Sequence, residues 1–274
     1  MDNRDDPRTR CAGLRDFEEC LIAVAAFVLT GATILHGPDL IVDDESWLWV
    51  GDDGRISAIG SGPLEDSTVT QFDSSGMIIC PAFLNAHTHV IDGFLKEIGF
   101  GLPYWDVFMP PEGLRHRALS TTSPDVVSEQ LSRTLDQMIA CGTSVFVDFR
   151  EGGRPGVKLL EQLAAGRPIQ PLTLGRFASY PPQPPDDLAA NEGALGTEAL
   201  DEIAGVVEEG AGFALVSAND LTDQGLAQVA AHVRSLGGLL ALHVAESPPY
   251  REISIERTGQ SDVHRVVDHL SPDF

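Results

Sequence analysis

Residues 77–89 read Met-Ile-Ile-Cys-Pro-Ala-Phe-Leu-Asn-Ala-His-Thr-His, and the fold is decided in this stretch. Met77 to Leu84 is a nearly continuous apolar run, the pattern of a strand buried in a parallel sheet. It leads into two histidines spaced two apart. Side chains alternate along a strand, so His87 and His89 point to the same side and can offer imidazole nitrogens to one ion. Histidine pairs with this spacing are commonly surface or turn residues. The C-terminal end of a strand is, however, where α/β proteins gather their active sites, and that placement favours ligands.

Downstream, apolar strands alternate with helical patterns. The spacing predicts a helix over 124–140, with Ser123 as cap, Pro124 in the first turn, Val127, Leu131, Leu135 and Met138 on one face, and Gly142 beyond its end. Strands follow at Ser144–Phe149, Ile169–Leu174, Phe213–Ser217 and Leu239–Val244, with helices near 156–165, 198–208, 223–236 and 261–269. Pro181 to Pro185 forms a rigid connection. Repeated βα units mean a parallel sheet covered by helices. Five strands suit an open doubly wound sheet or part of an eight-stranded barrel, and the count alone leaves both open. The last of these strands reads Leu239-Leu-Ala-Leu-His243-Val-Ala-Glu246. His243 sits at its end, either as a satisfied buried histidine or as a ligand. Glu246 cannot share its face in a continuing strand, so it belongs where the chain turns away, a position suited to proton transfer.

Upstream, residues 23–80 read as a small β module. Ser46–Val50 and Arg55–Ile59 flank a Gly-Asp-Asp-Gly turn, a hairpin signal. The apolar stretch Leu21–Leu35 is shorter than the roughly 20 residues of a spanning helix, and Asp16, Glu18 and Glu19 precede it where a signal peptide is basic. Residues 1–22 are therefore expected to be a disordered extension and residues 81–274 the βα part.

The chain has 274 residues, with 18 Lys plus Arg against 41 Asp plus Glu, a net charge of −23. Such a field repels phosphate and argues against nucleic acid and anionic membranes as partners. Lys96 and Lys158 are the only lysines. An acid-rich, lysine-poor surface fits a salt-rich cytoplasm, and equally an acidic protein of a GC-rich genome. The cysteines Cys11, Cys20, Cys80 and Cys141 form no CxxC pair, which fits a reducing cytosol. Cys80 and Cys141 read as buried small apolar residues.

The combination of a small β module, an Asn-Ala-His-Thr-His strand and a later His-Val-Ala-Glu strand resembles the metal-dependent amidohydrolase superfamily. The aminohydrolase branch, with its cytosine, guanine and adenosylhomocysteine deaminases and its triazine chlorohydrolases, is the most similar. The resemblance runs from about residue 27 to the end, with Ala82 where the family usually has glycine. It implies a TIM-type (β/α)8 barrel with a β-sandwich module. His87, His89 and His243 are then metal ligands for one Zn2+ or Fe2+, and Glu246 is the catalytic proton shuttle. A two-metal branch uses a lysine at the end of the fourth strand; Phe213–Ser217 ends without one, which favours a single metal. The family's further site histidine and metal-binding aspartate do not appear, since His264, His269 and Asp268 read as helix residues and Asp273 as a turn residue. Only about five of eight βα units are accounted for, so the chain reads as C-terminally incomplete.

By the same resemblance the expected partner is a small N-heterocyclic substrate, deaminated by a metal-activated water, with homo-oligomerisation left open. A cyclic-amide hydrolase, a chlorohydrolase, or a truncated non-catalytic relative acting as a scaffold are the alternatives. Phe94, Arg150 and Arg176 are candidates for substrate contact. Glu151 reads as half of a structural ion pair, and His116 as a solvated helix residue.

Overall fold

The computed structural model describes residues 25–64, 68–109 and 112–270. The 1–22 extension and Asp273 lie outside the described residues. The chain forms two compact units that divide between Phe83 and Leu84.

The first unit contains β1 (Phe27–His36), β2 (Ile41–Val50), β3 (Ile56–Ser61), β4 (Thr70–Asp73) and β5 (Ile78–Ile79). β1 pairs antiparallel with β2, and β2 with β3. The Gly51–Gly54 turn between β2 and β3 closes with Gly54 N donating to Gly51 O at 2.9 Å. β4 and β5 both run parallel to β1, against its first and second halves. All five strands thus join one sheet. Ala32, Ile34, Leu48 and Val50 cluster in its core, while Ile41, Val42, Ile56, Phe72 and Ile78 are exposed. Among the described residues this unit is a single mixed sheet.

The apolar run Met77–Leu84 is also not one buried strand. Its first part joins the first unit through Thr33 and Ile34, and Pro81, which has no N–H to give a ladder, separates that part from β6 (Phe83–Thr88). Ile78, Phe83 and Leu84 are all more than half exposed. Cys80 and Cys141 are exposed as well. Cys80 falls in the break between the two strands, and Cys141 at the C-terminal cap of a helix, neither of them an enclosed position.

The second unit winds β6, β7 (Thr143–Arg150), β8 (Gln170–Gly175), β9 (Gly212–Ser217) and β10 (Leu239–His243) into one sheet. Spatial order follows chain order from β6 to β10, and the β7–β8, β8–β9 and β9–β10 pairs are parallel. A doubly wound sheet reverses direction at a switch point; this one does not. The winding is that of a barrel, over five strands.

Nine helices are described: α1 (Tyr104–Phe108), α2 (Leu114–Thr121), α3 (Pro124–Ala140), α4 (Gly153–Ala164), α5 (Pro185–Ala190), α6 (Thr197–Glu209), α7 (Asp223–Ser235), α8 (Pro248–Thr258) and α9 (Asp262–Leu270). Ser123 caps α3 by accepting from Val126 N at 3.4 Å, and Leu131 and Leu135 are buried on its inner face. None of the described helices is long and apolar enough to cross a membrane.

Alternation along β7 separates two packing environments. Phe146 joins Leu131, Leu135 and Leu160 under the helices, whereas Phe149 joins Leu174 and Ala214 in a separate cluster. A second helix-side core gathers Val157, Ile203, Val206, Leu226, Val229 and Val233 around Phe213 and Leu215. Gly175 ends β8 where a Cβ would lie 2.5 Å from both Val157 and Val206. Only glycine lets α4 and α6 close over that strand end.

Candidate metal centre

β6 and β10 are the two edges of the five-stranded sheet, and their C-terminal ends meet. His87 Nε2 lies 3.3 Å from His89 Nε2 and 3.0 Å from His243 Nε2. Among the described residues these three form the one cluster of His, Cys, Asp or Glu able to hold a metal ion. The chain's other histidines are engaged elsewhere: His36 with Asp43, His116 with Phe108 O, His232 with Leu200 O, His264 with Ser261, and His269 beside Asp223.

Several neighbours orient the three rings. His243 Nδ1 lies 3.0 Å from Val216 O; a carbonyl can only accept, so Nδ1 carries the proton and Nε2 presents its lone pair. A register shift between Leu242 and His243 brings His243 opposite Ser217 of β9. Phe149 stacks on His87 at 4.6 Å and 24°, and lies 5.4 Å from His89 and 4.6 Å from His243. One apolar ring thus underlies all three imidazoles.

The electrostatics favour the neutral form of His89 and His243. Burial, then the charge of Arg176, lowers His89 to about 3, and the same two causes in the same order lower His243. A neutral imidazole is the form that ligates a cation. Two nitrogens each about 2.0–2.1 Å from a tetrahedral zinc lie about 3.3 Å apart. The observed separations and the all-imidazole donor set therefore fit a zinc-like or ferrous ion.

Asp148 holds the strand end that carries His89. It is fully buried, and its Oδ1 accepts from Val90 N at 2.8 Å and Thr88 Oγ1 at 3.1 Å, the residues on either side of His89. Burial raises its carboxyl from 3.8 to about 7. The folded chain therefore binds this proton more tightly than the unfolded one, and stability falls as pH rises from about 4 to about 7. Asparagine keeps the acceptor and cannot ionise. In metal-free protein, Asp148→Asn is expected to be more stable than the parent by about 1–3 kcal/mol near pH 7.5 and to lose most of that advantage near pH 4. Urea unfolding at the two pH values measures this, and an unchanged pH slope would refute it.

Of the proposed substrate contacts, Arg176 is buried beside the site. Its guanidinium carbon lies 5.6 Å over the Phe149 ring, and Nη1 donates to Glu151 Oε1 at 2.9 Å. Glu151 also pairs with Arg115, whose Nε donates to Asp92 Oδ1 at 2.7 Å. Burial alone would raise Glu151, but Arg176 and Arg115 outweigh it and hold the carboxyl at about 2. Glu151 is thus in an ion pair, as expected, and the pair extends to four residues. Arg150 is 2% exposed, with Nε donating to Gly156 O at 3.0 Å, in the first turn of α4. Phe94 ends the 3-10 turn Val90–Phe94, and its side chain lies outside what the structure describes.

Glu246 is exposed just beyond β10, close enough for its charge to raise His243. The Tyr104 phenol is pushed up by burial, by Tyr250 and by the nearby Glu246 carboxylate. Sequence reasoning missed Asp148, Phe149, Arg115, Tyr104 and Tyr250. For Asp148 there was a signal, a lone acid inside the apolar run Val145-Phe-Val-Asp-Phe149; Phe149 ends that run as an ordinary apolar residue, and Arg115, Tyr104 and Tyr250 lie in segments without a pattern that points to the site.

Residues 78–271 match the model of the amidohydrolase family. A putative aminohydrolase of Methanothermobacter thermautotrophicus is 31% identical over 241 residues, which are 88% of this chain and 59% of that protein. A 5-methylthioadenosine/S-adenosylhomocysteine deaminase of Aquifex aeolicus is 31% identical over 35% of this chain and 22% of its own length. The crystal structure of atrazine chlorohydrolase from Arthrobacter aurescens complexed with zinc superposes with a TM-score of 0.66 at 14% identity, covering 89% of this chain and 58% of that one. The last likeness is one of fold. The chain spans 59% of the aminohydrolase's length.

Proposed function

The chain belongs to the amidohydrolase family, and from that premise we propose that it carries the histidine side of a one-metal site for hydrolysis of a non-peptide carbon–nitrogen bond. The reaction is deamination of a small N-heterocycle. The observation that carries this reading is the convergence of His89 Nε2 and His243 Nε2 on His87 Nε2, at 3.3 and 3.0 Å. The names of the aminohydrolase and deaminase relatives support the reaction class, and the zinc in the chlorohydrolase structure supports the choice of zinc over ferrous iron.

A divalent ion supplies Lewis acidity that brings the pKa of a water towards about 7. The chain's own residues do the rest. His87, His89 and His243 hold the ion, with His243 fixed in orientation by Val216 O. Glu246 carries a proton between the water and the ring nitrogen, and then to the departing ammonia. Phe149 closes the face beneath the histidines to water, and Arg176 provides the nearby positive charge.

Zinc titration of the apoprotein, followed by ammonia release from a panel headed by 5-methylthioadenosine, tests the reading. One zinc per chain and ammonia as product are expected. Failure to bind zinc would remove the site. Chloride release from a chlorotriazine, or ring opening without ammonia, would reject deamination.

A further inference from the structure

The chain is pinned where it leaves β10, between the last metal-site histidine and Glu246. Ala245 has φ +50, a left-handed conformation that opposes any residue with a Cβ. Its N–H donates to Asp262 Oδ2 at 2.6 Å. Asp262 opens α9 and is 1% exposed. One turn later on the same helix face is Arg265, fully buried. Arg265 Nε donates to Asp223 Oδ1 at 2.7 Å, Nη1 to Ala218 O at 3.0 Å and Nη2 to Leu221 O at 2.8 Å. Sliding α9 would unpair a buried guanidinium, so Asp262 stands on a fixed support.

The far side of Glu246 is defined as well. The Glu246 carboxylate lies near enough to the Tyr104 phenol for its charge to raise it. Tyr104 and Tyr250 meet edge-on at 6.3 Å, and Trp105 meets Tyr250 at 5.9 Å. Tyr250 O accepts from Asn219 Nδ2 at 2.8 Å, in the same post-β9 loop that anchors Arg265. Three residues on from His243, an extended chain would send Glu246 to the opposite face. The turn at Ala245 prevents this.

We infer that Asp262 is a positioning residue for Glu246: by holding the left-handed turn at Ala245, it sets the Glu246 carboxylate near Tyr104 and His243. This rests on the reading of Glu246 as the proton carrier. Glycine takes a positive φ unaided, so the dependence on Asp262 exists because residue 245 has a side chain.

The chain has three tyrosines, so 13Cζ-labelled tyrosine resolves Tyr104 once Tyr104→Phe assigns it, in apoprotein and without any substrate. Glu246→Gln is expected to move the Tyr104 signal, and Asp262→Ala to move it as well. With 5-methylthioadenosine, Asp262→Ala is expected to lower kcat by about 10- to 100-fold, with KM and zinc content within about twofold of the parent. Adding Ala245→Gly to Asp262→Ala should restore both the signal and kcat. Asp262→Asn, whose amide oxygen can accept the same N–H, should leave both near the parent. An unmoved Tyr104 signal in folded Asp262→Ala, a glycine that restores nothing, or asparagine as damaging as alanine would overturn the inference. Should Asp262→Ala not fold, the parent protein still decides: its Ala245 amide must exchange slowly with solvent, and rapid exchange would overturn the hold. A parent chain that shows these spectral changes and releases no ammonia would reject the deamination reading and leave the positioning geometry standing.

Discussion

His243→Ala is expected to take the chain from one zinc ion retained through gel filtration to none. The three Nε2 atoms are mutually close, and no other His, Cys, Asp or Glu joins their cluster among the described residues. Removing His243 leaves two imidazole donors at the end of one strand. A four-coordinate ion then has two protein ligands where it had three. The affinity loss should exceed the roughly 10- to 100-fold that follows loss of an outer hydrogen-bond partner of a ligand. Mass spectrometry of bound metal and competition with a chromophoric chelator measure the effect. His264→Ala, an exposed helix position, is the control and should bind as the parent does. Parent-like zinc affinity in His243→Ala would refute the assignment of the site.

Glu246→Gln separates binding from chemistry. Glutamine nearly preserves shape, but it cannot take up and return a proton. Zinc content is expected to stay at one per chain while ammonia release falls by about 10²- to 10⁴-fold, the usual contribution of a positioned acid–base group. Because Asp262 acts through Glu246, adding Asp262→Ala to Glu246→Gln should produce little further loss. Parent-like turnover by the glutamine variant would eliminate the shuttle role, and loss of zinc would show that Glu246 acts as a ligand instead.

The βα half of the fold was legible because its signals are local. Ser123 and Pro124 begin α3 as read, and Leu131 and Leu135 are buried as the helical period requires. α4 begins earlier than expected because Gly152, at φ +90, turns the chain straight from β7 into the helix. α1, α2, α5 and α8 were not read, since α1 and α5 are only five and six residues long, α2 has little apolar periodicity, and two prolines open α8. The run Met77–Leu84 misled because apolar composition reports strand character and not which sheet receives it; Pro81 is the break. For the site, the histidines announced themselves through strand-end position, and Glu246 through its awkward spacing from His243. Their supports did not. Asp148, Asp262 and Tyr104 act across separations that leave no trace in a window of sequence, and Arg150 and Arg176, alike in sequence position, take up different work because of the partners that tertiary packing supplies.

The meeting of His87 and His243 has a consequence for how the site comes into being. The two residues are 156 positions apart and belong to strands that share no ladder, since β6 and β10 lie at opposite edges of the sheet. A contact of that sequence separation forms only after the intervening βα units have ordered, which makes the centre a late event in folding. Metal captured there closes a very long loop, and its binding free energy adds to the stability of the whole unit and not of one strand. Chelation should therefore be felt first at the two edge strands, which the ion alone would tie together.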